Sequence, residues 1–451
     1  MSNFVTDRVF KYALGGLAGR ISISAPIDQP LISPRSSSAP TSSSTSRSTS
    51  AATNTASTAS KNDLVSDSDH PNSLPVLVFT HGMASTRTNY SHLLATLASH
   101  GYIVVAVEHR DGSGPGSVVM PSSGSSSTYK VPLINEHDII RVLDRDITLS
   151  VSVDDFKEAE LEFRHAEIEE TMRILSLLNK GEGASIAASN PRKEGATALP
   201  TFASRIDLSR AVILGHSFGA VAAMKVMKDC PVNGFKGGIA YDPGKESGPL
   251  NSEIDVPLLV VNSQSWSRNF SLFFGKPHFD VVRQIAEGVG GGRNVEGKEE
   301  KEEEKNGEGD EKPAQEKDGN KTAAWFITCM GTSHASITDA PLIAPTILRW
   351  ATGSTVDGRD GVHQYVDITL DYLRWLFSSQ APRVEDDNQN MGLDEQTEEK
   401  KTSRSKDVLK DSILGERVSH YSYDSDQRDE ATKRKWEGKG WEGKWQVHVA
   451  P

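Results

Sequence analysis

A serine flanked by glycines lies at the centre of residues 211–223, AVILGHSFGAVAA. The apolar residues before it predict a buried strand, and the Ala-rich residues after it predict a helix. A serine at the apex of such a strand–turn–helix is typical of a strained nucleophile turn. Gly215 and Gly219 fit this interpretation because a Cβ there would meet the neighbouring strand or helix. The alternative is a chance match, since Gly-x-Ser-x-Gly alone is a weak pattern.

Strand and helix patterns alternate along much of the chain. Apolar residues at helical spacing predict helices over 88–101 and 155–181, the second with Leu161, Ile168, Met172 and Leu175 on one face. Short apolar runs predict buried strands in LPVLVFTHG (74–82), YIVVAVEHRDGSG (102–114), GGIAYDPG, PLLVVNSQS and AAWFITCMGTSH. This alternation predicts an α/β fold with a mainly parallel sheet covered by helices on both faces.

Three polar blocks interrupt the pattern. Residues 34–70 are rich in Ser, Thr and Ala, residues 290–321 are dense in charge, and residues 382–435 are charged and poor in aromatics. Such segments bury too little apolar area to offset the entropy of ordering, so we predict that they are disordered. A shorter Gly/Ser/Ala stretch, 181–200, is also predicted to be a loop.

The polar blocks divide the chain into four predicted parts. In chain order they are a partial amino-terminal piece of the domain (1–33), a Ser/Thr-rich segment (34–70), the α/β domain (71–381) and a charged tail (382–451). The α/β domain is predicted to be a single domain that carries the acidic insert 290–321. The tail ends in a Trp-rich segment, 436–451, that we expect to dock as an edge strand.

Charge and cysteine content exclude several function classes. A net charge of −12 argues against general nucleic-acid binding, which requires Lys and Arg for phosphate contacts. Two cysteines, Cys230 and Cys329, cannot form a disulfide framework and fit a reducing compartment. No apolar run reaches the roughly 18 residues that cross a bilayer, and no secretory signal is evident, so a cytoplasmic location is expected. No metal-ligand spacing or phosphate-binding loop is present, so neither a metal nor a cofactor is expected.

A nucleophilic serine requires a base, and three histidines are candidates. In folds that carry this turn, the chain order is serine, acid, histidine. His334 follows the apolar run FITC, so its loop would carry it to the carboxyl edge of the sheet. His278 lies in GKPHFD with no clear strand before it, and His363 precedes a late helical pattern. We therefore predict that His334 is the base; the alternative is a structural histidine.

The base in turn needs an orienting carboxylate. Asp242 follows the apolar run GGIAY and precedes Pro-Gly, which places it at the end of a strand. Asp255 precedes its strand and would lie at the opposite edge of the sheet, while Asp280 and Asp339 have weaker strand contexts. We predict Asp242, against the alternative that it only forms a turn before Pro-Gly.

The developing oxyanion needs backbone donors. The N–H of Phe218 follows the serine directly, and the second donor should come from the loop after an earlier strand. FTHGMAST (79–86) fits, with Met83 as the donor and Gly82 permitting close approach of the backbone. We expect His81 to brace this loop rather than to transfer a proton.

The segment EHRDG, 108–112, is rich in ionisable residues and could be mistaken for a catalytic cluster. It ends a strand that lies far from Ser217 in the sequence. We expect it to order a loop.

Together, VFTHGMASTRTNYSHLLATLASHGYIVVAVEHRDGSG, GHSFG, GIAYDPG and GTSHASITD resemble the platelet-activating factor acetylhydrolase family, in particular its fungal-type intracellular members. The resemblance covers roughly 74–285 and 322–380. It implies an α/β-hydrolase fold and calcium-independent, phospholipase A2-like hydrolysis of short or oxidised sn-2 acyl chains of phospholipids. It places the nucleophile on Ser217, the acid on Asp242, the base on His334 and the oxyanion donors on Met83 and Phe218.

The resemblance also raises an expectation about the amino terminus. FKYALGGLAGRISISAPIDQPLI is similar to the piece just upstream of the family's His-Gly strand, so the chain is expected to start inside the domain. Three hypotheses follow: a serine lipid esterase with transient contact to a membrane surface, a general carboxylesterase or lipase with the same triad, and an inactive hydrolase-fold binding protein. The sequence gives no indication of the oligomeric state.

Overall fold

A seven-stranded sheet organises the protein in the computed structural model. The structure describes residues 27–31, 73–119, 129–131, 152–191, 194–229, 234–245, 247–267, 270–271, 276–290, 322–379 and 444–450. The Ser/Thr-rich segment, most of the 1–33 piece, all but Gly290 of the acidic insert and the 382–435 block lie outside these ranges. The domain division therefore stays a prediction.

The strands of the sheet follow the predicted apolar runs. They are β1 (Leu74–Thr80), β2 (Ile103–Val107), β3 (Ile206–His216), β4 (Phe235–Tyr241), β5 (Leu258–Ser263), β6 (Ala324–Cys329) and β7 (Trp445–Val449). Their order is β7-β6-β5-β4-β3-β1-β2, and every neighbouring pair is parallel except β6–β7. The mainly parallel sheet is confirmed. Two short antiparallel pairs lie outside it, Ser117–Val119 with Tyr129–Val131 and Phe270–Ser271 with Lys276–Pro277.

The described helices connect these strands. They are α1 (Ser91–Ser99), α2 (Val153–Asn179), α3 (Gly183–Ser189), α4 (Phe218–Val226), α5 (Gln264–Ser267), α6 (His278–Gly290), α7 (Ala340–Ile343), α8 (Pro345–Thr352) and α9 (Gly358–Ser379). Short 3-10 turns cover Arg87–Tyr90, Leu199–Phe202 and Met227–Asp229.

Two helix boundaries differ from the sequence prediction for physical reasons. Helix α2 begins two residues earlier than expected because Ser152 and Asp155 form a reciprocal capping box. The loop predicted over 181–200 is wrong, since α3 and the 3-10 turn after it occupy much of the stretch. Ala187 is buried and Ile186 packs against the core, which gives this small-residue segment an apolar anchor.

Both faces of the sheet are buried, as the continuous apolar strands require. Val76 and Val78 of β1 face a cluster that includes residues of α2, α4 and α6. Leu77 and Phe79 face a second cluster that includes residues of α1 and α9. Two covered faces and a mainly parallel sheet confirm the predicted α/β class.

Strand β7 closes one edge of the sheet and comes from the end of the chain, within the 436–451 segment. It pairs antiparallel with β6. The Trp445 indole N–H donates to the carbonyl of Gln364 in α9 at 3.3 Å, and His448 Nε2 bonds to Thr328 Oγ1 at 2.8 Å.

Parallel pairing decides where the polar loops meet. Strands β1, β3, β4 and β6 all end at the same edge of the sheet, and each is followed by a residue named in the sequence analysis. These residues are Met83, Ser217, Asp242 and His334.

Candidate active site

Ser217 lies in a strained turn between β3 and α4. Its backbone adopts φ 57° and ψ −120°, a region that non-glycine residues rarely occupy. Such a conformation costs on the order of 1–3 kcal/mol and persists only where the surroundings enforce it. The backbone N–H of Ser217 donates to the carbonyl of Tyr241, and its own carbonyl accepts from Gly244, so β4 and the loop after it hold the turn.

The two glycines of the motif are required by close backbone approach. A Cβ on Gly215 would lie 2.1 Å from the carbonyl oxygen of Gly219, and one on Gly219 would lie 2.1 Å from that of Thr80. No side chain fits at either distance. The strand, the helix and the end of β1 therefore meet around the serine only because both positions lack a side chain.

The loop after β1 approaches the serine from the other side. A Cβ on Gly82 would lie 3.0 Å from the Cβ of Ser217. His81 braces this loop, as expected: its Nε2 accepts from the backbone N–H of His109, so its Nδ1 carries the proton and donates to the carbonyl of Gly82 at 2.8 Å. Within the described ranges, the backbone N–H groups of Met83 and Phe218 have no acceptor.

Asp242 and His334 form a hydrogen-bonded pair next to the turn. His334 Nδ1 donates to Asp242 Oδ2 at 2.9 Å. Ser263, the last residue of β5, donates its N–H to Oδ1 at 2.5 Å and its hydroxyl to Oδ2 at 2.8 Å. The Asp242 side chain is 1% exposed, so these donors replace the water that an ionised carboxylate requires. The pair fixes the imidazole with its Nε2 free to accept a proton.

The Ser217 hydroxyl makes no direct hydrogen bond to this pair. Among the contacts of the described residues, it donates no hydrogen bond to His334. The ring of His216, the residue before the serine, lies 4.5 Å from the ring of His334. Catalytic serine–histidine contacts are often long without substrate and tighten when it binds.

Trp266 packs flat on His334, a contact that the sequence analysis missed. The two ring centroids are 3.7 Å apart at 10°, and the indole N–H donates to the carbonyl of Pro243 at 2.8 Å. Lys245 Nζ lies 3.6 Å from the Trp266 ring centroid. Trp266 lies on α5 just after β5, so an aromatic residue beyond a strand end was the only available signal.

His216, also missed, links the loop after β1 to the serine turn. Its Nδ1 bonds to the Tyr90 hydroxyl at 2.8 Å, and that hydroxyl accepts from the N–H of Gly82 at 3.2 Å. Burial and the neighbouring His334 hold the pKa of His216 well below its usual value, so the ring is neutral.

One group of described residues has spacing that could hold a metal ion. His216, Asp242 and His334 each offer a ligand atom within 4.8 Å of the others. Both Asp242 oxygens already accept hydrogen bonds from His334 or Ser263. A metal would have to break the contact that orients the imidazole, so the geometry favours proton transfer over ligation.

The rival histidines occupy structural positions. His278 is buried at the start of α6, with its ring edge against Trp266 at 6.1 Å. His363 lies within α9, which begins earlier than the sequence pattern predicted, and packs edge-on against His92 at 5.6 Å.

The rival acids are likewise engaged elsewhere. Asp255 is exposed before β5, and Asp280 pairs with Arg283 in its own helix at 3.8 Å. Asp339 accepts from the backbone N–H groups of Ser91 and His92, which caps the start of α1. None of the three bonds to His334.

His278 makes stability depend on pH in a defined window. Burial, followed by the charge of Lys245, lowers its pKa from 6.5 to about 4. Between these values the unfolded chain binds a proton that the folded chain does not, so the folded state loses about 1.4 kcal/mol per pH unit on acidification. We expect the stability of the wild type, relative to His278→Phe, to fall from pH 6.5 towards pH 4 and to be constant above pH 7. Urea unfolding at pH 7, 6 and 5 measures this; a pH-independent difference would contradict it.

Comparison with known proteins identifies the family of this chain. The sequence matches the family described as platelet-activating factor acetylhydrolase, isoform II, over residues 40–397. The chain belongs to this family. That match includes every residue of the candidate site.

Curated relatives of the platelet-activating factor acetylhydrolase family align over part of the chain. The protein of that name from Cavia porcellus is 26% identical over 205 residues, and the one from Bos taurus is 28% identical over 199 residues. In both cases the alignment covers 42% of this chain and 40% of the relative, so the chain spans less than half the length of these relatives. A putative phospholipase A2 from Schizosaccharomyces pombe is 50% identical over 46 residues, 10% of each chain.

The solved structure of a ferulic acid esterase from Streptomyces cinnamoneus superposes on this chain with a TM-score of 0.36 at 16% sequence identity. The superposition covers 71% of this chain and 72% of the esterase chain. That superposition is too weak to support an inference. Across the described ranges, no helix combines the length and apolar character that crossing a bilayer requires.

Proposed function

We propose that this protein is a serine esterase that hydrolyses the sn-2 short-chain or oxidised acyl ester of phospholipids. The observation that carries the proposal is the Asp242–His334 hydrogen bond beside the strained Ser217 turn. An oriented imidazole next to a half-buried serine apex is what nucleophilic catalysis at a carbonyl requires. Family membership and the names of the curated relatives support the substrate class.

The reaction begins with attack of Ser217 Oγ on the ester carbonyl. His334 Nε2 takes the hydroxyl proton, and Asp242 holds the imidazole in the tautomer that can accept it and stabilises the resulting imidazolium. The negative oxygen of the tetrahedral intermediate accepts from the N–H groups of Met83 and Phe218.

Collapse of this intermediate expels the lysophospholipid alcohol, which receives the proton from His334. Water, activated by the same imidazole, then attacks the acyl-enzyme and releases the free acid and the serine. In this scheme His334 carries every proton transfer, and Asp242 orients its imidazole.

A release assay tests the substrate class. We expect hydrolysis of 2-acetyl phosphatidylcholine and of truncated, oxidised acyl analogues. The kcat/KM for long-chain sn-2 phospholipids should be at least about tenfold lower, which corresponds to about 1.4 kcal/mol in the activation free energy. Hydrolysis of simple nitrophenyl esters without any phospholipid turnover would instead indicate a general carboxylesterase.

An exposed apolar surface next to the site supports contact with a lipid surface. Ile347 and Trp350 of α8 are 63% and 88% exposed. The end of this helix is joined to the His334 loop, since Ser333 Oγ donates to Thr352 Oγ1 at 3.0 Å. Trp beside an apolar residue is typical of side chains that enter the membrane interface.

Removing this surface gives a specific expectation. The double variant Ile347→Ser, Trp350→Ala should bind phosphatidylcholine vesicles at least about 100-fold more weakly, since burying each side chain contributes roughly 1.5–3 kcal/mol. Hydrolysis of soluble nitrophenyl acetate should not change. Phe163→Ser, which removes a 45% exposed aromatic from α2, is the matched control. Vesicle sedimentation measures binding, and equal loss in the control variant would contradict the role of α8.

A further inference from the structure

Arg164 of α2 is a fully buried cation beneath the two segments that carry the oxyanion donors. Its side chain is 0% exposed and forms an ion pair with Asp111, Nε to Oδ2, at 2.6 Å. This contact with Asp111 alone would balance the buried charge of Arg164. Its other guanidinium nitrogens contact the loop after β1 and the loop after β2.

The contacts of Arg164 fix the backbone on both sides of Met83. Nη1 donates to the carbonyl of His81 at 2.6 Å, and Nη2 donates to Ser113 Oγ at 2.5 Å. The carbonyl of Ser113 accepts from the N–H of Ala84 at 2.6 Å. Met83 therefore lies between two residues whose backbone is tied, directly or through Ser113, to one guanidinium.

This hold is needed because the loop is strained. Ala84 adopts φ 55°, a conformation that a non-glycine residue keeps only when its surroundings enforce it. Asp111 Oδ1 accepts from both the N–H and the hydroxyl of Ser113, so the support under Ala84 is itself fixed. Asp111 belongs to the EHRDG segment, whose predicted loop-ordering role these bonds support.

Arg164 also contacts the second donor segment. The guanidinium carbon lies 4.4 Å from the centroid of the Phe218 ring, a cation–π arrangement. Phe218 opens α4 directly after Ser217, and its ring is fully buried. The same side chain thus touches His81, two residues before the Met83 donor, and the ring of Phe218, the other donor. These residues lie 83 positions before and 54 positions after Arg164 in the chain.

We propose that Arg164, held by Asp111 and Ser113, is a positioning residue that sets the N–H groups of Met83 and Phe218 at the spacing the oxyanion requires. The proposal rests on the proposed esterase function. The planar guanidinium is suited to this role because its donors point in fixed directions to three acceptors at once, which a lysine cannot reproduce. Arg164 itself does not touch substrate.

The test compares Arg164→Lys and Ser113→Ala with Arg173→Lys. Arg173 lies on the same helix, is exposed and pairs with Glu170 of that helix, so it is a matched control. We expect kcat for nitrophenyl acetate to fall about 10–100-fold in Arg164→Lys, since one lost oxyanion donor costs on the order of 10²–10³. Ser113→Ala should show a smaller fall of about 3–10-fold, and both should keep KM within about threefold.

Two further measurements separate positioning from general damage. Affinity for a trifluoromethyl ketone analogue should fall in proportion to kcat/KM, because only the tetrahedral adduct uses the oxyanion donors. The midpoint of the pH–rate profile should not move, since His334 is not touched. Near-UV circular dichroism and thermal melting identify folded variants, and Ser113→Ala keeps the test valid if Arg164→Lys does not fold.

The outcomes distinguish this proposal from the function on which it rests. If the wild type is not labelled by a fluorophosphonate, the esterase function fails. If the wild type is labelled, and folded Arg164→Lys and Ser113→Ala retain wild-type kcat or lose activity through KM alone, the positioning role of Arg164 is overturned and the esterase function stands.

Discussion

Replacing Asp242 with asparagine is expected to lower kcat for ester hydrolysis by about 10⁴-fold with little change in KM. The N–H of Ser263 donates to Oδ1, so the new amide must present its oxygen there and its NH₂ group to His334 Nδ1. That forces the imidazole proton onto Nε2, which can then no longer accept the serine proton. Steady-state kinetics with nitrophenyl acetate measure the effect.

Asp255→Asn is the matched control for this change, because Asp255 is exposed before β5 and bonds to no residue of the site. It should retain wild-type kcat. An Asp242→Asn enzyme within tenfold of the wild type would show that His334 is not oriented by this carboxylate.

The second large effect is expected from Gly219→Ala. The new Cβ would lie 2.1 Å from the carbonyl oxygen of Thr80 and 2.7 Å from that of His81, both of them backbone atoms that cannot rotate away. Overpacking of a rigid core costs about 1–3 kcal/mol and occasionally more, and a backbone clash belongs at the upper end. We expect a loss of at least about 3 kcal/mol in the free energy of unfolding, together with loss of activity, because β1 and the serine turn are forced apart.

Gly288→Ala provides the control for a glycine in a helix. A Cβ on Gly288 in α6 meets nothing within 4 Å, and alanine has the higher helix propensity, so stability should rise slightly. Urea midpoints of the two variants decide the matter. A Gly219→Ala protein as stable as the wild type would mean that β1 and α4 are not in backbone contact.

Sequence patterns were sufficient to place the candidate residues that follow strands at one edge of the sheet. Ser217, Asp242 and Met83 each follow an apolar run closely, and parallel strands bring their carboxyl ends to one edge. His334 follows β6 after a short turn, so it could be placed in the same way. The chain order of serine, acid and histidine removed most of the alternatives.

Residues that act through packing were beyond sequence reasoning. Trp266 stacks on His334 from 68 positions away, and Arg164 reaches His81 across 83 positions. Arg164 looks like an ordinary polar residue of an amphipathic helix, because periodicity reports only which face is apolar and not which charged side chain is buried. The loop predicted over 181–200 failed for a related reason, since short helices held by one or two apolar anchors have too little periodicity to detect.

Mass spectrometry of the protein after reaction with a fluorophosphonate tests the central claim most directly. The reagent phosphonylates a serine only when an oriented base removes its proton. We predict one adduct, on Ser217 within the peptide that contains GHSFG, with loss of esterase activity in proportion to labelling, and no adduct and no activity in Ser217→Ala. Wild-type protein that hydrolyses 2-acetyl phospholipid while labelled at another serine, or a Ser217→Ala variant that retains activity, would contradict the account.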